Sequence, residues 1–202
     1  MSQNNPLANL LDRRAVVSTM LRDRKGIVAV GGLGASTNDM AAAGDNDRNL
    51  YLWGAMGGAV MMGLGLALAQ PDVPVVVITG DGEMLMGIGS LATVGMQKPG
   101  NLSIVVLDNE RYGETGMQAT HTAAGVDLAK VAQACGFRLA RQVRSGAQLA
   151  ALRAAIHRGT GPLFAQVKVI AEKIPLVLPP RDGGILKSRF RKALLGARAD
   201  LD

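Results

Sequence analysis

Asp81 and Asn109 are the two side chains on which a chemical reading of this sequence rests. Asp81 lies between Gly80 and Gly82 after the apolar run VVVIT, and Asn109 follows a second run, LSIVVLD, 28 positions on. A carboxylate and an amide oxygen are hard donors of the kind Mg²⁺ prefers. If the two runs are neighbouring parallel strands joined by a crossover helix, both tips arrive at one carboxyl edge, where open α/β sheets bind ligands. Gly82 and Glu83 then open the crossover, and backbone N–H groups at such a start suit a phosphate. The spacing predicts a metal-bridged diphosphate held across two strand ends.

The rest of the chain has to position those tips. Strands are expected over 75–79 and 102–108, with the crossover helix over 85–97. Asn9 is placed to cap a helix over 10–24, in which Val16, Val17, Met20 and Leu21 lie on one apolar stripe. A short buried strand over 27–30 ends at Gly31, which opens the turn GGLG, a second strand-end loop able to approach a ligand. A helix over 55–69 carries Gly57, Gly58, Gly63 and Gly65. Glycine costs helix stability, so that density implies close packing on the sheet or on a second subunit.

Downstream, Asp127 caps a helix ending before Gly136, a modest strand covers 137–143, Ser145 caps a helix to about Arg158, and 162–169 is the last strand. An extended arm through Pro179 and Pro180 leads into a short basic helix around 186–195. This alternation predicts an α/β fold, three-layer α/β/α around a mainly parallel sheet. One domain is expected over 1–174, with an arm over 175–202 packing on it or on a partner.

Composition narrows the function. The 202 residues are 48% hydrophobic but only 3% aromatic, so the core must be aliphatic around close backbone contacts. Cys135 is the one cysteine, which excludes a disulfide framework and a soft-metal cluster and favours the cytoplasm. The first residues lack the basic-then-apolar order of a secretory leader. The apolar run over 55–70 is short of a membrane span. Of the formal charge of +6, half sits in residues 181–202, with no aromatic platform beyond Phe190. That points to an acidic partner surface or an anionic substrate rather than nucleic acid. Asp45, Asp47 and Asn49 begin like a calcium loop, but Leu50 and Met56 stand where glycine and glutamate are needed. Asp45 and Asp47 are therefore read as a solvated loop or a partner contact.

Gly80-Asp81-Gly82 followed at this distance by a strand-terminal Asn109 resembles the diphosphate-binding module of thiamine-diphosphate-dependent decarboxylases. Asp108 stands where the family often has a first asparagine; the ligating position is the second. The resemblance implies Mg²⁺ held by the Asp81 and Asn109 side chains and the Arg111 carbonyl, with Gly82 and Glu83 contacting the diphosphate through their backbone. Trp53-Gly54-Ala55-Met56-Gly57 is similar to the stretch that passes under the cofactor in these enzymes. It implies that Met56 enforces the bent cofactor conformation and that the Gly54 carbonyl accepts from the aminopyrimidine, with Ala55 alongside. An unbranched thioether suits such an irregular gap. Gly31, Gly80, Tyr112 and Gly113 complete the implied cofactor wall.

The family chemistry also needs a glutamate against the aminopyrimidine, and that residue belongs to a separate pyrimidine-binding module. Glu83, Glu110 and Glu114 lie on the diphosphate side of the motif. The resemblance therefore implies a partner alpha subunit that supplies the glutamate, in an α2β2 or larger hetero-oligomer. YGETGMQATHT and IPLVLPP…SRF are similar to the split members that decarboxylate sulfopyruvate or phosphonopyruvate, although Ala119 replaces a usual proline. Such anionic 2-oxo acids need cationic or hydrogen-bonding groups near the reacting carbon. Thr115, Gln118, Thr120 and His121 are the candidates, beside Met56.

A carboligase, an oxoacid oxidoreductase beta subunit and a non-catalytic assembly subunit are the rival readings. The paired Asp81 and Asn109 argue against the last. His121 reads first as a loop histidine, His157 as a helix-end residue and Cys135 as a small buried hydrophobe.

Overall fold

The computed structural model describes residues 10–200. Asp12 starts α1 (Arg13–Leu21) by accepting from the amide of Ala15 at 2.6 Å. This is a later start than predicted, because Asp12 offers its acceptor closer to the apolar stripe; the predicted cap, Asn9, lies outside the described residues. β1 (Val28–Gly31) runs into α2 (Ala35–Ala42), a helix for which the sequence shows no apolar period. β2 (Asn49–Tyr51) follows, and the glycine-rich stretch 54–58 stays out of the helix, so α3 is Ala59–Ala69. A Cβ on Gly63 would overlap the Val77 side chain, so this glycine lets α3 lie directly on the sheet.

β3 (Val75–Gly80) leads into α4 (Asp81–Met86) and α5 (Ser90–Gln97), then β4 (Leu102–Asp108). The single crossover expected here is two helices, broken where the backbone of Gly87 packs on that of Gly57. The polar loop beyond Asn109 is a hairpin, β5 (Arg111–Tyr112) with β6 (Gln118–Ala119), and then a 3-10 turn over His121–Ala124. α6 (Leu128–Ala134), β7 (Leu139–Val143), α7 (Gly146–His157) and β8 (Leu163–Lys168) complete the sheet. Asp127 and Ser145 cap their helices as the sequence predicts.

The six-stranded sheet is wholly parallel, in the order β2-β1-β3-β4-β8-β7. From β1 the chain moves outward to β2, then returns past β1 to β3, so loops diverge between the carboxyl ends of β1 and β3. That switch point is where a parallel sheet opens a ligand crevice. Gly80 pairs with Leu107, which sets Asp81 level with Asp108 and one residue short of Asn109. Helices cover both faces. Val16, Val17, Met20 and Met40 of α1 and α2 pack with Leu152 and Ile156 on one face. Val60, Met84, Leu91 and Leu128 pack with Phe164 on the other.

After β8 an extended stretch leads into α8 (Gly183–Leu195), which Asp182 caps. The Trp53 indole donates to the Pro180 carbonyl at 3.3 Å, and Leu186 and Phe190 are buried. Arg189 forks onto both oxygens of Asp45 at 2.6 and 2.7 Å. Asp45 is thus an ion-pair partner rather than a solvated loop residue, while Asp47 remains exposed. Among the described residues no helix is long and apolar enough to cross a membrane.

Candidate functional site

At the switch point the strand-end loops enclose a cavity of about 420 Å³. Of the residues singled out by sequence, Gly80, Asp81, Gly82, Glu83 and Met56 line it, together with Asn109, Arg111, Tyr112, Gly113 and Thr115. Six others, Thr120 among them, do not line it. Gly31 faces α2, where a Cβ would meet Met40 and Thr37. Gly54 and Ala55 lie outside the lining, and the Ala55 carbonyl accepts from Gly58 at 2.8 Å. Gln118 is exposed in the hairpin, where its amide exchanges two hydrogen bonds with Thr115, each 3.1 Å. His121 is exposed on the 3-10 turn.

Asp81 is 2% exposed and hangs on two hydroxyls, Thr120 Oγ1 at 2.6 Å and Thr122 Oγ1 at 3.2 Å. Thr120, a sequence candidate for the substrate, is therefore turned onto Asp81. Burial pushes the Asp81 carboxyl up to about 6, against the Thr120 hydrogen bond and with the help of nearby Asp108. Asp108 is equally buried but satisfied. It accepts from Lys168 Nζ at 2.8 Å, Gln166 Nε2 at 2.6 Å and Thr122 Oγ1 at 2.8 Å. Lys168 also reaches Glu110 at 2.5 Å, and these two carboxylates hold its ammonium above the usual range although burial works the other way. Thr122 has one hydroxyl hydrogen for two carboxylates.

The contrast between the two aspartates decides what the edge can hold. Among the described residues Asp81 has no Lys, Arg or His partner, whereas Asp108 has Lys168. A buried carboxylate without a cation is costly unless one is brought to it. No three His, Cys, Asp or Glu side chains converge among the described residues. A metal bound here must then draw on amide, backbone and ligand oxygens, which is the donor set that Mg²⁺ accepts. Asn109 Oδ1 already receives the Arg111 amide at 3.0 Å, and a carbonyl oxygen keeps a second lone pair for an ion.

Glu83 takes part through its side chain as well as its place in the chain. Its carboxylate accepts from Thr79 Oγ1 at 2.6 Å, the Leu33 amide at 3.0 Å and the Gly57 amide at 3.4 Å. Burial raises its pKa. Gly82 approaches the Tyr112 ring so closely that a Cβ would overlap it, at 2.6 Å from Cε1. The sequence does not single out Arg13 of α1 or Lys173 of the stretch just before the arm, both of which line the cavity. Nor does it single out Lys168, Gln166 and Thr122. Only the polar ends of their strands and turn hinted at them.

A parallel sheet with a polar, cation-seeking edge at its switch point defines a cofactor-binding α/β module. The profile described as "Thiamine pyrophosphate enzyme, C-terminal TPP binding domain" matches residues 32–167, and the chain belongs to that family. Over 168 residues it is 39% identical to sulfopyruvate decarboxylase subunit beta of Methanothermobacter thermautotrophicus, covering 83% of this chain and 87% of the relative. The subunit of the same name from Methanocaldococcus jannaschii is 43% identical over 110 residues, 54% of this chain and 58% of that one. Phosphonopyruvate decarboxylase of Streptomyces viridochromogenes is 51% identical over 105 residues, 52% of this chain and 26% of the relative. The matches to these last two thus span about three-fifths and a quarter of the relatives' lengths. Benzoylformate decarboxylase from Polynucleobacter necessarius shares the fold, with a TM-score of 0.67 at 20% identity over 83% of this chain and 34% of that one.

Proposed function

We propose that this chain is the beta subunit of a split thiamine-diphosphate-dependent decarboxylase that converts sulfopyruvate to sulfoacetaldehyde and CO₂. The observation that carries the reading is buried Asp81, with no Lys, Arg or His partner among the described residues and sharing a cavity with Asn109, in a chain of this family. Mg²⁺ would be held by Asp81, Asn109 and the Arg111 carbonyl. The cofactor, when bound, supplies the sink for the electron pair that CO₂ leaves behind. This chain's residues hold and orient. Met56, at the cavity wall, props the cofactor; Gly82 and Tyr112 shape the approach. Thr115, in the cavity lining, presents a donor to the substrate, whereas Gln118 and His121, outside that lining, would reach it only if the hairpin turned inward.

The activating glutamate comes from a partner alpha subunit in an α2β2 or larger assembly. Two carboxylates of this chain near the cavity are already engaged, Glu83 by Thr79 and two amides and Glu110 by Lys168. Exposed Met61, Met62 and Leu68 on α3, with Met86 and Met96, supply an apolar surface suited to such a partner. Residues 1–174 act as the cofactor-binding domain and 175–202 as an arm. A cytoplasmic setting fits the single cysteine.

Phosphonopyruvate is the second reading, favoured by the 51% identity to a phosphonopyruvate decarboxylase. The test is to reconstitute the chain with its partner and assay sulfopyruvate, phosphonopyruvate and pyruvate. Turnover is expected from the pair with sulfopyruvate preferred, and from neither chain alone. Brisk turnover by this chain alone would place the glutamate within it, and an inactive pair would overturn the decarboxylase reading.

A further inference from the structure

Arg13, the first residue of α1, is 7% exposed yet lines the cavity. Its Nε lies 3.1 Å from Asp39 Oδ2, but the pair lacks the alignment of a hydrogen bond. Among the described residues no hydrogen bond reaches its terminal nitrogens. Asp39 is fully buried and is shared, since its Oδ1 also accepts from Arg14 Nε at 3.1 Å. Two guanidinium groups around one carboxylate leave a positive charge over. A buried guanidinium with only a shared counter-ion favours an anion that reaches it, and its planar fork matches the oxygens of a sulfonate, phosphonate or carboxylate.

Position distinguishes this anion from the cofactor's phosphates. α1 and α2 pack on one face of the sheet, while α4, which carries Asp81 and Gly82, packs on the other. Arg13 therefore comes to the cavity from the face of the sheet opposite the helix that Asp81 opens. The other two cations lining it, Arg111 and Lys173, are solvent-exposed, and exposed charges discriminate weakly between ligands.

We infer that Arg13 is the specificity-determining residue of this site, pairing with the second acid group of the substrate, the sulfonate or phosphonate on the carbon next to the ketone. The inference rests on the decarboxylase reading of the same cavity. It assigns to the α1 terminus a part that the sequence had given to the loop after Tyr112.

The experiment compares the reconstituted pair carrying Arg13→Met or Arg13→Lys with wild type. Arg13→Met should lower kcat/KM for sulfopyruvate by roughly 30-fold, the scale of a lost charged hydrogen-bond pair, and mostly through KM. For pyruvate, which lacks the second acid, the fall should be far smaller. Arg13→Lys keeps the charge without the fork and should fall between, which preserves the test if the Met variant folds poorly. A second readout is calorimetric titration of the loaded pair with sulfoacetate, a non-reacting sulfonate, whose affinity should weaken in parallel. Equal losses on sulfopyruvate and pyruvate, unchanged sulfoacetate affinity, or weakened thiamine diphosphate binding with selectivity intact would overturn the assignment. Arg13-dependent sulfoacetate binding by a pair that decarboxylates nothing would instead sink the decarboxylase reading and leave the anion site standing.

Discussion

The Glu83 carboxylate lies 3.0 Å from the amide nitrogen of Leu33, fifty residues upstream. Through this bond α4 holds the loop that leaves β1, across the point where the sheet opens. Gly32 makes the approach possible, because a Cβ there would overlap the carboxylate. With Thr79 and Gly57 also donating, one buried side chain gathers three segments of the cavity wall.

Removing that brace should loosen the cavity before it unfolds the domain. Glu83→Ala strands one hydroxyl and two amides, a loss of about 2–3 kcal/mol by the usual cost of unmade buried hydrogen bonds. Glu83→Gln keeps the shape but turns a donor toward donors, and should cost less. Thermal unfolding with parallel cofactor titration checks this. A Glu83→Ala chain with both stability and cofactor affinity intact would show that the three contacts carry nothing.

Asp81 makes the metal-free chain pH-sensitive in a direction opposite to most aspartates. Its folded pKa, about 6, exceeds the ordinary 3.8. Between these values the folded chain keeps a proton that the unfolded chain has released, so stability falls as pH rises through this window and levels off above it. The deficit at neutral pH is on the order of 3 kcal/mol. Asp81→Asn should therefore melt higher than wild type at pH 7.5 without metal or cofactor, and the gap should close toward pH 4. Added Mg²⁺ and thiamine diphosphate should reverse the ranking. Parallel melting curves for the two chains across this range would contradict it.

Lys168 neutralises the other strand tip. Replacing it with methionine leaves Asp108 1% exposed and without its cation. Breaking such a buried pair on one side costs about 3–5 kcal/mol. Combining Lys168→Met with Asp108→Asn, which removes both charges of the pair, should recover most of that loss. Urea titrations of the single and double variants measure the coupling. Additive losses would mean that Lys168 stabilises the fold by packing rather than by charge.

The strands around Asp81 and Asn109 were legible because each is an apolar run that stops at a polar tip, and a parallel sheet puts such tips at one edge. α2 was not legible, since it has no apolar stripe. Its Ser36, Thr37, Asn38 and Asp39 are buried, and Ser36 and Thr37 both donate to the Gly32 carbonyl, so the helix satisfies the loop after β1 rather than covering a core. Thr120 read as a substrate donor because sequence shows a polar loop but not which way a hydroxyl turns. Arg13 reads as an ordinary charged residue near a helix start until Asp39, on another helix, is seen to be shared with Arg14. Each of these depends on partners far apart in the chain, which periodicity and local spacing do not record.

The arm offers a test with its own reporter. Trp53 is the only tryptophan in the chain, and its indole donates to the Pro180 carbonyl at 3.3 Å. Arg189, a residue of α8, grips Asp45, which also accepts from the Tyr51 hydroxyl at 2.9 Å. The Arg189–Asp45 pair is partly exposed and is worth about 1 kcal/mol at most. Burial of Leu186 and Phe190 contributes more, roughly 1.5–3 kcal/mol for each side chain. Arg189→Ala should therefore leave Trp53 emission nearly unchanged, whereas Phe190→Ala with Arg189→Ala should red-shift it and open the arm to acrylamide quenching. Removing residues 175–202 should give the full shift, and because the arm carries Leu176 to the cavity, it should also weaken cofactor binding. A truncated chain with the same Trp53 spectrum and the same cofactor affinity would show that the arm neither docks on Trp53 nor closes the cavity.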